Sequence, residues 1–333
     1  MYLLNGVTVA RMEEVTFSDL RMAEDSVEEL LRKNIDMICG DEESMLLVGQ
    51  QAANRAQARC DLIAVDQEGN LVLIELKRDK QDMRRRPEPL EFQAIRYAAS
   101  CAAIQTTDEL IQNIFAPYIE KHREEFDCGE RSSIEVARRR LESFLEANQA
   151  TKFNERQRIV LVASDFDEQT LAAVAWLNSS QVDISCYRIV PYRMGGQILL
   201  DPQKLLPLQD YEEFYISFKE KMPLEKRQRR GTRHVLPQIG ALLEWGVVKP
   251  GDIMEVKGRS DQAVLRADGR VDTPSGTCMS LQQWLKSVLG WSQVATYDQT
   301  VEKTSGKTLS ELRRVHMERM AQAAEEPEGE AES

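Results

Sequence analysis

The sequence predicts an α/β domain with a mixed sheet flanked by helices, followed by a second, smaller α+β domain. Three observations lead there. Short apolar runs, such as Met45 to Val48 and Arg158 to Ala163, have the length of buried strands. Stretches whose apolar residues recur at helical spacing alternate with those runs, the order expected of a sheet covered by helices. The composition then breaks at 221–234 (KMPLEKRQRRGTRH), a polar, basic stretch that reads as a linker.

Residues 1–15 alternate well enough for a strand or hairpin. Phe17 to Met37 reads as a helix, with Leu20, Val27, Leu30, Leu31 and Ile35 on one face. After the run at Met45 come two β-rich segments, Asp61 to Val65 and Asn70 to Leu76. Asp66-Gln-Glu-Gly69 joins them as a hairpin turn, with the glycine free to take positive φ. Pro87 and Pro89 open a helix that runs to about Ala103, proline being well placed in a first turn. Helices follow over Asp108 to Phe126 and Ser132 to Ala147, the second carrying Arg138-Arg139-Arg140. Arg158 to Ala163 is a buried strand, and Asp165 or Asp167 caps a helix through Leu177. Ile184 to Tyr192 and Gln197 to Leu200 complete the strands.

The predicted organisation is therefore a first domain over 1–220, the linker 221–234, a second domain over 235–316 and an acidic, disordered tail over 321–333. The second domain has an apolar helix from Ile239 to Trp245, glycine turns at Gly251 and Gly269, and a helix around Leu281 to Leu289. Trp245, Trp284 and Trp291 are expected in its core.

Composition narrows the function classes. With 333 residues, 42% hydrophobic and 29% charged, the chain is an ordinary globular protein with room for two domains. No apolar run approaches the length that spans a bilayer, and the N-terminus lacks a basic segment before an apolar core, so a cytoplasmic protein is expected. The 6 cysteines are scattered and the 3 histidines dispersed, which argues for reduced thiols and against a zinc cage. The net charge of -12 is uneven: Glu325, Glu326, Glu328, Glu330 and Glu332 load the tail, while basic clusters lie at Lys77 to Arg86 and Lys226 to Arg233. A basic face on an acidic protein still holds phosphate.

The chemistry concentrates in the hairpin. Glu75 and Lys77 are two residues apart on one strand and share a face, with Leu76 on the other. A hairpin with a short turn brings Asp61 beside Glu75. Carboxylates and a lysine gathered at a strand end are costly if buried without partners. Mg²⁺ or Mn²⁺ would relieve that cost, because hard cations take carboxylate and carbonyl oxygens. Asp61 and Glu75 would hold the metal, and Lys77 would orient or deprotonate a water or neutralise developing charge. Alone, an E-x-K pair is a common solvated strand pattern.

The surroundings add to it. Asp61, Gly69-Asn-Leu-Val72 and Glu75-Leu-Lys77-Arg78, followed by Gln93-Ala-Ile-Arg-Tyr97, resemble the motif series of the PD-(D/E)XK nuclease superfamily, and within it the NucS and RecB-like nucleases. Gln93 and Tyr97, i and i+4, lie on one helical face. The resemblance covers roughly residues 15 to 205 and departs from the pattern at Cys60, where a proline or aliphatic residue is usual. It implies a restriction-endonuclease-like fold, DNA cleavage, and catalytic roles for Asp61, Glu75, Lys77, Gln93 and Tyr97. It also implies an acidic metal ligand on the first helix, for which Glu24 aligns best and Glu28, one turn on, is the rival. Arg59, Arg78 and Arg96 would contact DNA, and a homodimer is implied as well.

Leu242 to Asp252, Gln262 to Val271, Gly290-Trp291 and Gly306 to Arg313 resemble the RAMA domain, a small module fused to restriction and methylation enzymes. This implies a DNA-recognition or modified-base-sensing role for the second domain. The expected function is a metal-dependent DNA endonuclease in restriction, phage defence or repair. The alternatives are a catalytically silent DNA-binding protein on a nuclease scaffold, or a structural partner protein without membrane association.

Overall fold

In the computed structural model, residues 1–53, 59–79, 88–207 and 236–325 are described. They form a seven-stranded mixed sheet with helices and a separate six-stranded antiparallel sheet. A small hairpin of β1 (Tyr2–Asn5) and β2 (Thr8–Arg11) precedes them.

The large sheet contains β3 (Glu13–Glu14), β4 (Met45–Ala53), β5 (Arg59–Asp66), β6 (Leu71–Lys77), β7 (Gln157–Ala163), β8 (Ile184–Met194) and β9 (Gln197–Leu206). Its order is β3-β8-β7-β6-β5-β4, with β9 also on β8. β4, β5 and β6 are antiparallel neighbours, whereas β6–β7 and β7–β8 are parallel. The parallel centre is buried on both faces, which explains why β6 and β7 read as continuous apolar runs. Ile159, Leu161 and Ala163 face one cluster, beneath Leu90 and Ala94; Val160 and Val162 face the other.

The β5–β6 turn forms as its residues predict. Asp66 Oδ1 accepts the N–H groups of Glu68 and Asn70 at 3.0 and 2.9 Å, and Gly69 has φ +85. A Cβ on Gly69 would collide with the Lys152 carbonyl. Gly69→Ala should therefore cost more than about 2 kcal/mol, left-handed strain adding to overpacking. A urea unfolding curve measures it.

Helices cover the sheet: α1 (Glu24–Lys33), α2 (Leu90–Cys101), α3 (Thr107–Leu110), continuing through a π turn (Ile111–Phe115) into α4 (Ala116–Lys121), then α5 (Ser133–Ala147) and α6 (Glu168–Ser179). Asp167 caps α6 by accepting from Thr170 N at 2.8 Å.

The first helix is shorter than the sequence suggests. Residues 17–21 form turns, and 35–37 a 3₁₀ turn. The buried Asp79 carboxylate explains the late start: it accepts from the backbone N–H of Phe17 and Ser18 at 3.2 and 3.1 Å, holding them out of a helix. β4 runs beyond Val48 to Ala53, and β9 beyond Leu200 to Leu206. Pro87, residues 80–86 of the basic cluster and the stretch read as a linker lie outside the described residues.

The second sheet has the order β13 (Cys278–Ser280), β12 (Arg270–Asp272), β11 (Gln262–Leu265), β10 (Ile253–Val256), β14 (Thr300–Glu302), β15 (Lys307–Thr308). Four helices accompany it: α7 (Ile239–Glu244), α8 (Leu281–Leu289), α9 (Thr296–Gln299) and α10 (Leu309–Glu325). α10 extends into the region expected as a disordered tail. Trp284 and Trp291 are buried, but Trp245 is 37% exposed and stacks on His316 instead of filling the core.

This unit docks on β4, the edge of the large sheet. Met45 and Gln293 exchange two backbone hydrogen bonds of 3.0 Å, Ser292 Oγ accepts from Leu47 N at 3.0 Å, and Arg313 grips Glu42 through two bonds of 2.8 and 2.9 Å. Phe144 and Trp291 meet edge to face at 4.9 Å. Among the described residues, no helix is long and apolar enough to cross a membrane.

Candidate active site

The hairpin places the acidic and basic residues where two strands part. The β5–β6 ladder ends at Leu62–Ile74. Beyond it β5 stays paired with β4 through Arg59, while β6 stays paired with β7 through Lys77. In that gap Asp61 Oδ2 accepts the Leu76 N–H at 2.7 Å, so a carboxylate replaces the missing strand partner.

Lys77 is the centre of the cluster. Its ammonium is 3.1 Å from Glu75 Oε1, 3.3 Å from Glu24 Oε1 and 3.8 Å from Asp61 Oδ2, and it donates to the Leu76 carbonyl at 2.5 Å. Glu75 and Lys77 are buried, at 1% and 2% exposure. The register sets them beside Leu161 and Ala163, on the face that α2 covers. Their burial follows from the strand's central position, and mutual pairing offsets its cost.

Gln93 and Tyr97 sit on that helix. The Gln93 amide donates to the Tyr97 hydroxyl at 3.1 Å, and Tyr97 is buried. Burial raises the Tyr97 pKa; the nearby Glu75 and Asp61 charges push the same way, and the Gln93 bond opposes them. Burial likewise drives the Cys60 thiol well above its usual range, with the Glu75 charge adding to it.

The two rivals on α1 diverge. Glu24 joins the Lys77 cluster, whereas Glu28 binds the Gln51 amide at 3.1 Å. Burial raises the Glu28 pKa, with the Asp61 and Asp25 charges adding, against the hydrogen bond from Gln51 and the nearby Gln50 amide. A raised carboxyl pKa means that Glu28 contributes most stability below its ordinary value of 4.5 and loses that contribution as pH rises through the folded value. Glu28→Gln should accordingly raise Tm at pH 7, and the gain should vanish below pH 4.5. Melting curves across pH test this.

The arginines are less gathered. Arg59 is exposed at the start of β5. Arg78 donates to the Met22 carbonyl at 3.2 Å and lies 3.6 Å from Asp79. Arg96 pairs with Glu88. Three participants escaped sequence reasoning: the Leu76 carbonyl, Asp79 and Gln51. Backbone groups carry no sequence signal, and the other two show their role only once distant strands are paired.

Among the described residues, no group of three or more His, Cys, Asp or Glu side chains is arranged by itself to hold a metal ion. The Lys77 ammonium takes the centre between the carboxylates. Its partners Glu24, Asp61, Glu75 and the Leu76 carbonyl are nevertheless oxygen donors, the type that a hard divalent cation takes. No protein-family model matches the chain, and no curated protein matches it significantly.

Proposed function

We propose that the chain is a divalent-metal-dependent DNA endonuclease with a restriction-endonuclease-like core, related to the NucS and RecB-like nucleases. One observation carries this reading. Asp61, Glu75, Glu24 and the Leu76 carbonyl converge on a single buried cation, Lys77, where β5 and β6 part. Mg²⁺ or Mn²⁺ bound by Asp61, Glu75 and Glu24 would supply an acidified water and charge neutralisation at the phosphoryl oxygens. Lys77 would then place its ammonium against the scissile phosphate and stabilise the charge that develops there. Gln93 and Tyr97 would present hydrogen-bonding groups from α2 to hold the substrate. Arg59, exposed beside Cys60, would contact the phosphate backbone. The RAMA-like second domain would choose the DNA.

The test is a cleavage screen of plain, methylated, branched and mismatched DNA with Mg²⁺ and Mn²⁺. Cutting should require metal, and Asp61→Ala, Glu75→Ala and Lys77→Ala should each lose about 10²-fold or more in rate. Unchanged cutting in all three would remove the assigned site. A second reading, a DNA-binding protein without catalysis, is favoured by Lys77 itself filling the centre of the carboxylates. Metal-independent DNA binding with no cleavage of any substrate would establish it instead.

A further inference from the structure

Gln51 has φ +51, a left-handed conformation that side-chain-bearing residues avoid, and it lies within β4. Such a residue persists only where its surroundings impose it, and such residues cluster at functional sites. The pairs Gln50↔Leu62 and Ala52↔Cys60 set Gln51 across the ladder from Asp61. Its amide donates to Glu28 Oε2 at 3.1 Å. Glu28 is 3% exposed, and its Oε1 has no hydrogen-bond partner among the described residues. A buried carboxylate oxygen without a donor is unfavourable unless something arrives to supply one.

We propose that Gln51 is a positioning residue, fixing Glu28 so that Oε1 accepts a hydrogen bond, and then the proton, from the water whose oxygen attacks phosphorus, as the P–O bond to the leaving oxygen breaks and that oxygen takes a proton from solvent. This rests on the nuclease reading. It divides Glu24 and Glu28 of α1 between different tasks: Glu24 belongs to the cation cluster around Lys77, and Glu28 to the water. The backbone strain at Gln51 then has a purpose, because an ordinary extended conformation would direct the amide elsewhere. The unfilled oxygen has one as well, because its partner is the reacting water.

The experiment uses the full chain, a DNA substrate cut by the wild type, and Mn²⁺. Gln51→Gly removes the amide and relieves the left-handed backbone. Relief of the backbone offsets the lost hydrogen bond to Glu28, so the variant should melt near the wild-type temperature and bind DNA in EDTA unchanged, while kcat falls about 10-fold or more at unaltered KM. Glu28→Gln should lose a similar factor. The double variant should be no slower than the worse single variant, because Gln51 acts through Glu28. A full rate in Gln51→Gly, or losses that multiply in the double variant, would overturn the proposal while leaving the nuclease reading intact. No cleavage of any substrate by the wild type would overturn both.

Discussion

Lys77→Met should destabilise the protein by about 3–5 kcal/mol, the cost of leaving buried charge without its partner. Methionine fills nearly the same volume, so the loss isolates the ammonium. In wild type that ammonium balances Glu75, 1% exposed, together with Glu24 and Asp61. Without it the Glu75 carboxylate either stays ionised in a poor solvent or takes up a proton. Two consequences distinguish this account from a general packing defect. Lys77→Met/Glu75→Gln should recover part of the stability, since the buried carboxylate charge is gone. Mg²⁺ or Mn²⁺ should raise the Tm of Lys77→Met by more than that of wild type, because the carboxylates no longer have an internal cation competing with the metal. Melting curves in EDTA and in each metal provide the measurement. Equal metal shifts in the two proteins would show that this donor set does not hold a divalent cation.

The parts of the site visible in the sequence are those governed by short-range geometry. Glu75 and Lys77 share a face because a strand has a period of two. Gln93 and Tyr97 bond because a helix brings i and i+4 together. Asp66 and Gly69 make the turn that sets Asp61 beside Glu75. The hidden parts depend on contacts distant in sequence. Asp79 is 62 residues from the Phe17 N–H it accepts, and without that bond in view the apolar spacing over Phe17 to Met37 looks wholly helical. Gln51 looks like a polar residue at a strand end, because left-handed backbone at a non-glycine position leaves no mark in composition. The same limit applies at larger scale. The basic stretch 221–234 reads as a linker between two domains, and spacing gives no sign that apolar residues of both sheets share one buried cluster. Spacing along a chain reports which face of an element is apolar, not which element will cover it.

Trp291→Ala tests that shared core. Trp291 is 5% exposed, and its indole meets the Phe144 ring at 4.9 Å and 75°. Phe144 itself lies on α5 against the large sheet. Truncation should cost about 3–5 kcal/mol, the usual range for a buried aromatic residue that leaves a cavity. The loss should appear in the whole protein and not in the second sheet alone. Around Trp291 the two units are joined by the reciprocal Met45–Gln293 bonds, by Ala295 N donating to Ser44 Oγ at 2.9 Å, and by the Arg313–Glu42 pair. These contacts cover β4, which would otherwise present an open strand edge. Wild type should therefore unfold in one transition, and Trp291→Ala should shift that transition as a unit. Hydrogen exchange at Met45 and Leu47, whose N–H groups bond to Gln293 and Ser292, should speed up together with exchange at Gln293. A chain whose second sheet melts first, leaving Met45 and Leu47 protected, would show that the units fold separately. Under the proposed nuclease function, coupled melting would mean that the unit proposed to choose DNA is held rigidly against the sheet that carries Asp61 and Glu75. The position of the cut relative to the recognised DNA would then be set by this interface and not by the length of 221–234.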